Sequence, residues 1–270
     1  MSEANKKIDT QWILIRGLAR ESRHWGNFPQ ELESVMSPQG EITRVDAIDL
    51  PGAGRYSEMR SPISISEITE FMRTKFLEIR ERQRREGFKP ASTTYLVAIS
   101  LGGMVAARWL ERWPDDFKGC VLINTSFKGF SPLFKRLSPP SYKHFFHILR
   151  AKEAVERELN ILKMISNRPD IHHQTAQEWA GLYLERPVSL ENLTRQLLAA
   201  SRFSSTLRQP PIPVLVLSSA QDRMVDPSCS KAIADRWHAK FAQHPTAGHD
   251  LPLDDGSWVV EQIRAFAKSL

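Results

Sequence analysis

The chain of 270 residues has only two cysteines, Cys120 and Cys229. They lie far apart, so neither a disulfide framework nor a zinc site built on paired thiolates is available, and a reducing compartment is expected. Long hydrophobic runs are missing too. No window approaches the length of about 18 uninterrupted apolar residues that a membrane-spanning helix needs. Residues 1–12 are polar and contain no apolar core of the length a secretory signal requires. These absences give a cytoplasmic location as the expectation. Internal repeats and low-complexity tracts are also lacking, which excludes collagenous and fully disordered classes.

What is present is close to the globular average, with 41% apolar and 25% charged residues, enough for one large domain or two small ones. Lys and Arg number 37 against 31 Asp and Glu, a net charge of +6 with an isoelectric point near 9.4. That excess raises nucleic acid or an anionic surface as a partner. Its placement argues otherwise. Residues 127–209 hold 13 Lys and Arg against 7 Asp and Glu, while the remainder holds 24 against 24. The excess therefore belongs to one interval, and no nucleic-acid motif accompanies it. The charge-dense stretch 80–85 reads as the solvated face of a helix.

Short β-branched apolar runs alternate with longer segments of helical period. Strands are predicted over 12–16, 42–48, 94–99, 119–124, 213–218 and 240–244, and helices over 26–36, 66–86, 102–113, 227–239 and 257–270. This alternation predicts an α/β protein, a mostly parallel sheet of about six strands with helices on both faces. Ser64 and Ser66 offer N-caps to the second helix, and Asp226-Pro227 reads as a cap followed by proline at the first helical position. The interval 127–209 breaks the rhythm. It reads as helices only, clearest over 152–165 and 189–200, and is a candidate lid inserted before the last two strands.

The apolar strand ending Val97-Ala98-Ile99 runs directly into Ser100-Leu101-Gly102-Gly103 and a helical run. A serine on so tight a strand-to-helix turn needs small neighbours two residues away on either side, and Ala98 and Gly102 supply them. Its hydroxyl then projects above a helix N-terminus, where free amides favour developing negative charge.

At this motif the chain resembles the α/β-hydrolase fold serine hydrolases, of the esterase-like kind with a helical cap. Ala98-Ile99-Ser100-Leu101-Gly102 looks like their nucleophile elbow, with alanine in place of the commoner first glycine. In that family an acid follows a late strand and a histidine follows the last. Here the strand Val214-Leu215-Val216-Leu217 leads to Asp222, and Gly248-His249 closes the loop ahead of the final helix. Asp226 is a competing acid that reads as a helix cap, and His244 lies within a strand and reads as structural. The resemblance implies a Ser100, Asp222, His249 triad, with backbone N–H groups of Leu18 and Leu101 as the oxyanion hole. Asp49-Leu50-Pro51-Gly52-Ala53-Gly54 is similar to the family's proline–glycine loop. It further implies that the antiparallel hairpin that often opens this fold is missing or reduced.

The division implied is a catalytic core of residues 1–126 and 210–270 with a cap of 127–209. The activity implied is hydrolysis of a carboxylic ester or related acyl bond through an acyl-enzyme. A serine at the elbow argues against the branches that use a carboxylate nucleophile. Alternatives within the fold are a thioesterase, a carrier-linked acyl esterase or acyltransferase, and a non-catalytic binding protein. Arg16 stands where relatives carry histidine; it reads as a buried structural cation, with substrate binding as the alternative. Phe127, Phe130 and Phe134 crowd the start of the insert with Tyr142, Phe145 and Phe146, as an apolar pocket wall would. His172-His173 lack a completing ligand set, so no metal is expected, and no cofactor either. The expected partner is a small ester or acyl substrate, acidic or carrier-linked in view of the basic insert. Neither nucleic acid nor a membrane span is expected, and the oligomeric state is left open.

Overall fold

The structure is a computed structural model that describes residues 6–37 and 40–270. Its strands are β1 (Lys6–Lys7), β2 (Thr10–Ile15), β3 (Thr43–Ile48), β4 (Phe88–Lys89), β5 (Thr93–Ile99), β6 (Gly119–Ile123), β7 (Val214–Ser219) and β8 (Lys240–His244). Six of them form one sheet in the order β3-β2-β5-β6-β7-β8, and every pairing is parallel. The β1 and β4 residues make a separate short parallel pair. No antiparallel pairing occurs among the described residues.

Helices cover both faces of this sheet, so the central strands are apolar without interruption. Side chains of β2, β5, β6 and β7 alternate between two cores. Ile13, Ile15, Leu96, Ala98, Cys120 and Leu122 pack on one side with α2 (Ile65–Arg85), α3 (Leu101–Arg112) and α9 (Ser228–Trp237). Trp12, Leu14, Val97, Ile99, Val121 and Ile123 pack on the other, against α1 (Phe28–Met36) and α11 (Gly256–Ala267). The edge strands β3 and β8 are half-exposed, which is why Arg44, Asp46 and Gln243 are tolerated there.

The first strand of the sheet lies in its interior. From β2 the chain moves one way to β3, then returns to the other side of β2 for β5. Strand order thus reverses between β2 and β5, and the crevice beyond their carboxyl ends is where such sheets bind ligands. The segments leaving those two ends are Arg16-Gly17-Leu18 and Ser100-Leu101.

Between β6 and β7 come five helices: α4 (Leu133–Arg136), α5 (Pro140–Arg150), α6 (Ala154–Ile165), α7 (His172–Glu185) and α8 (Leu190–Arg202). No strand interrupts them among the described residues. Their own core, Ile148, Leu162, Ile165, Ala176 and Trp179, closes on Met224, Val225 and Cys229 of the sheet domain. Helix α8 is held by buried amides. Gln196 accepts from the Ala19 N–H at 2.9 Å and donates to the Pro51 carbonyl at 3.2 Å. Asn192 accepts from Ser61 N–H at 2.8 Å and donates to the carbonyls of Ser57 and Met59.

The short helix α10 (Leu251–Asp254) completes the chain order. Helix α9 begins one residue later than the Asp226-Pro227 signal predicts, yet Asp226 still accepts from the Ser228 N–H at 2.8 Å. Ser64 occupies the N-cap of α2 without a side-chain bond to it. No helix among the described residues is long and apolar enough to cross a membrane.

Candidate active site

Ser100 sits at the junction of β5 and α3 with φ 57° and ψ −122°, a left-handed conformation that a non-glycine residue adopts only when its surroundings impose it. The surroundings here are specific. Its N–H donates to the Ile123 carbonyl at 2.9 Å, and its own carbonyl accepts from Thr125 Oγ1 at 2.7 Å. Gly102 lies against the end of β2, where an added Cβ would stand 2.6 Å from the Arg16 oxygen and 2.7 Å from that of Ile15. Both contacts are backbone and cannot turn aside. Gly102→Ala is therefore expected to lower the unfolding free energy by about 1 to 3 kcal/mol, measured by urea denaturation, and to displace Ser100, read from a crystal structure of the variant.

Asp222 and His249 come from the loops after β7 and β8. His249 Nδ1 lies 2.7 Å from Asp222 Oδ2, with both side chains buried. The other carboxylate oxygen, Oδ1, accepts from the N–H groups of Met224 at 2.8 Å and Val225 at 2.9 Å. Asp222 is thus oriented by backbone, and it orients the imidazole in turn. Asp226 is apart from this pair, half-exposed beside Lys135.

A residue without an obvious sequence signal ties these loops together. Asn124, at φ 45° just past β6, donates to Ser219 Oγ at 2.9 Å and to the His249 carbonyl at 2.8 Å, and accepts from the Ser219 N–H at 2.8 Å. Asparagine enters the left-handed region more readily than most residues, and that preference was the available clue. The His249 loop is also pinned to the insert, because the Asp250 N–H donates to the Ile165 carbonyl at 2.7 Å. Gly248 makes this approach possible: a Cβ there would meet that same carbonyl at 2.7 Å.

Arg16 is buried and donates through both terminal nitrogens to the Asp250 carboxylate, at 3.0 Å for the Nη1 to Oδ1 bond. Its guanidinium also lies 4.8 Å from the Trp25 ring centre. A bidentate pair of this kind clamps the His249 loop to the end of β2. The Leu18 N–H donates to no acceptor among the described residues, and Leu101 occupies the first position of α3, where no earlier helical carbonyl can accept from it.

Ser100 and His249 line one cleft, whose empty volume, mouth included, is about 710 Å³. No hydrogen bond joins their side chains among the described residues. The insert contributes an apolar stretch of wall, Phe145, Ile148, Leu149, Ile161 and Met164, and one cation, Arg157, which joins Arg16, Arg20 and Asp250 in the polar part. The three phenylalanines expected in this wall are elsewhere. Phe127 is fully buried at the foot of the insert, 5.4 Å from Phe203 and 5.3 Å from Trp237 between ring centres. Phe130 packs on Phe127 and faces an outer groove, and Phe134 is 60% exposed. Helix α5, one turn further on, presents Phe145 and Leu149 to the cleft instead. A second cavity that Ser100 also lines is bounded by Leu18, Leu101, Met104 and Thr125.

Residues 12–262 match the family model described as the alpha/beta hydrolase family. The chain belongs to the alpha/beta hydrolase family. Solved structures agree on the fold. An esterase from Rhodococcus sp. ECU1013 superposes with a TM-score of 0.71 at 19% identity, covering 97% of this chain and 91% of that one. A thermophilic esterase from Thermogutta terrifontis gives 0.70 at 19% identity, covering 98% and 91%. An enol-lactonase from Burkholderia xenovorans LB400 gives 0.71 at 14% identity, covering 96% and 92%. Identities this low carry the fold and no more. Among curated proteins no match was found.

This alpha/beta hydrolase carries a second buried charge group at the rim of the cleft. Arg20 donates from Nη1 to Glu158 Oε2 at 2.8 Å and lies 4.6 Å from the Trp179 ring centre. The same Nη1 is 3.0 Å from His24 Nε2; arginine has only donors, so that ring nitrogen accepts and is unprotonated. Burial, with Arg20 and Arg16 nearby, holds the His24 imidazole well below its ordinary 6.5. In the unfolded chain His24 takes up a proton as pH drops through 6.5, and in the folded chain it does not, so stability is full above that value and lost below it. Between pH 7.5 and 5.0 the parent is expected to lose about 1 to 2 kcal/mol more than His24→Gln, read by urea unfolding at the two pH values. Equal losses would remove His24 from this account.

His244 is structural. Its Nδ1 accepts from the Ala247 N–H at 2.9 Å while Nε2 faces Asp255 at 3.2 Å. His172 is buried against Ser166 at 3.1 Å.

Proposed function

We propose that this protein is a serine hydrolase that cleaves a carboxylic ester or closely related acyl bond through an acyl-enzyme. The observation that carries the reading is the buried Asp222–His249 pair, its carboxylate fixed by two amides, in the wall of a cleft that also contains a serine on a left-handed elbow. Ser100 attacks the acyl carbon, His249 takes its proton and later returns it to the leaving group, and Asp222 holds the imidazole tautomer and stabilises its charge. The N–H groups of Leu18 and Leu101 receive the oxyanion, a contribution of about 3 to 4 kcal/mol per donor in comparable enzymes. Residues 127–209 act as a cap over a core of 1–126 and 210–270. The apolar side chains that α5 and α6 turn into the cleft suit an acyl chain.

The test is a fluorophosphonate probe together with a panel of short esters, thioesters and lactones. Covalent labelling mapped to Ser100, with turnover of at least one class, is the expected result. An unlabelled Ser100 in folded protein, with no turnover of any class, would overturn it.

A further inference from the structure

We propose that the cleft beside Ser100 contains an anion subsite, built from Arg157 and Arg20, that selects substrates carrying a carboxylate away from the bond to be cleaved. This deepens the esterase reading and rests on it for the position of the reacting bond.

The argument is one of charge. Three guanidinium groups line the cleft, Arg16, Arg20 and Arg157, against two carboxylates, Asp250 and, directly behind the wall, Glu158. Asp250 is engaged on both oxygens by Arg16. Glu158 is fully buried and shared: Oε2 accepts from Arg20 at 2.8 Å and Oε1 accepts from Arg157. Two cations on one anion leave a single positive charge without a partner.

The neighbouring groups do not pair with it. Glu21 and Glu185 pair with Arg23 and Arg186, the buried Asp49 is taken up by the N–H groups of Ser22 and Arg55, and His24 is neutral. Asp222 is held behind His249 by two amides and the imidazole. A largely buried cation without a partner is costly, and an anion bound in the cleft would satisfy it.

The donors point the same way. Arg20 is about nine-tenths buried, and its Nη2 has no hydrogen-bond partner among the described residues. Arg157 uses only Nη1, toward Glu158, and is stacked 4.0 Å from the Tyr183 ring centre, which fixes the plane of its fork. Its side chain is 17% exposed and borders the cleft. A planar fork with one charge to balance fits a carboxylate, which would bring the local sum to zero; a phosphate dianion would overshoot it.

The experiment compares monoethyl with diethyl succinate, glutarate and adipate as substrates for the parent, Arg157→Gln and Arg157→Lys. The monoester exposes one carboxylate and the diester none, so the ratio of their kcat/KM values reads the subsite within each variant. The parent is expected to prefer the monoester of at least one chain length, with the preference shrinking as salt is added. In Arg157→Gln the ratio is expected to fall about tenfold or more, chiefly through KM, and Arg157→Lys to recover part of it. A parent with no preference at any length, or a ratio unchanged in folded Arg157→Gln, would overturn the proposal. If neither ester class is turned over and Ser100 is not labelled, the esterase reading fails alone. Calorimetric binding of glutarate then decides the subsite: binding lost in Arg157→Gln supports it, and no binding to the parent refutes it.

Discussion

Ser100→Ala is expected to abolish ester hydrolysis while leaving the fold intact. The rate should fall by about 10⁴- to 10⁶-fold in kcat, because the only nucleophile on the elbow is lost and water attacking directly gains little from His249. Folding should be spared or improved. Ser100 is half-buried and holds φ 57° at a cost in backbone strain, and alanine meets that cost while its hydroxyl contributes no hydrogen bond to the surrounding protein among the described residues. Stopped-flow or steady-state assays with p-nitrophenyl acetate and butyrate, beside a thermal melt, check both halves. Activity at the parent's rate in Ser100→Ala would place the chemistry elsewhere.

The second large effect concerns Asp222, whose two oxygens have different duties. Oδ1 accepts from two backbone N–H groups, so in Asp222→Asn the amide oxygen must take that position; an NH₂ there would face two donors. The amide nitrogen is then forced to the Oδ2 position, 2.7 Å from His249 Nδ1. It donates to that nitrogen and drives the proton to Nε2. An imidazole protonated at Nε2 cannot accept the proton of Ser100. A loss of about 10⁴-fold in kcat follows, with the melting temperature little changed. Imidazole nitrogen shifts by NMR would report the exchanged tautomer directly. Asp222→Ala separates structure from chemistry, because it leaves the Met224 and Val225 N–H groups unsatisfied and should cost about 1 to 3 kcal/mol of stability as well. Should Asp222→Asn retain the parent's activity, Asp222 would not be the group that orients His249.

The residues with these large expected effects were the ones legible in the sequence, and the reason is locality. Ser100 and Asp222 each follow an apolar strand that is buried on both faces, and His249 stands beside Gly248 in the loop between the half-exposed edge strand β8 and the last helices, so hydrophobic runs and small residues mark their places. The sheet was legible for the same reason, apart from shifts of a residue or two at strand ends. Contacts between distant segments left no local trace. Arg16 meets Asp250 across 234 positions and Arg20 meets Glu158 across 138, so a cation at the end of β2 and a glutamate on α6 each look ordinary alone. The aromatics of the insert show a different failure. Counting Phe127, Phe130 and Phe134 gives abundance without direction. Direction is set by helix register, which puts Phe145 and Leu149, four residues apart, on the cleft side of α5 and leaves Phe146 off it.

Helix α8 bears on how this molecule could be modified or could diverge. Its Gln196 and Asn192 saturate backbone groups in the segments after β2 and β3, so the last helix of the insert is structurally part of the floor beneath it. Grafting a foreign insert in place of residues 127–209 would strip the Ala19 N–H of its acceptor and loosen the turn that carries Leu18. A graft that exchanges α4 to α7 and keeps α8 leaves that turn supported. An exchange that stops before Ser189 is therefore expected to keep the floor of the cleft, and one that runs on to residue 209 to disturb it.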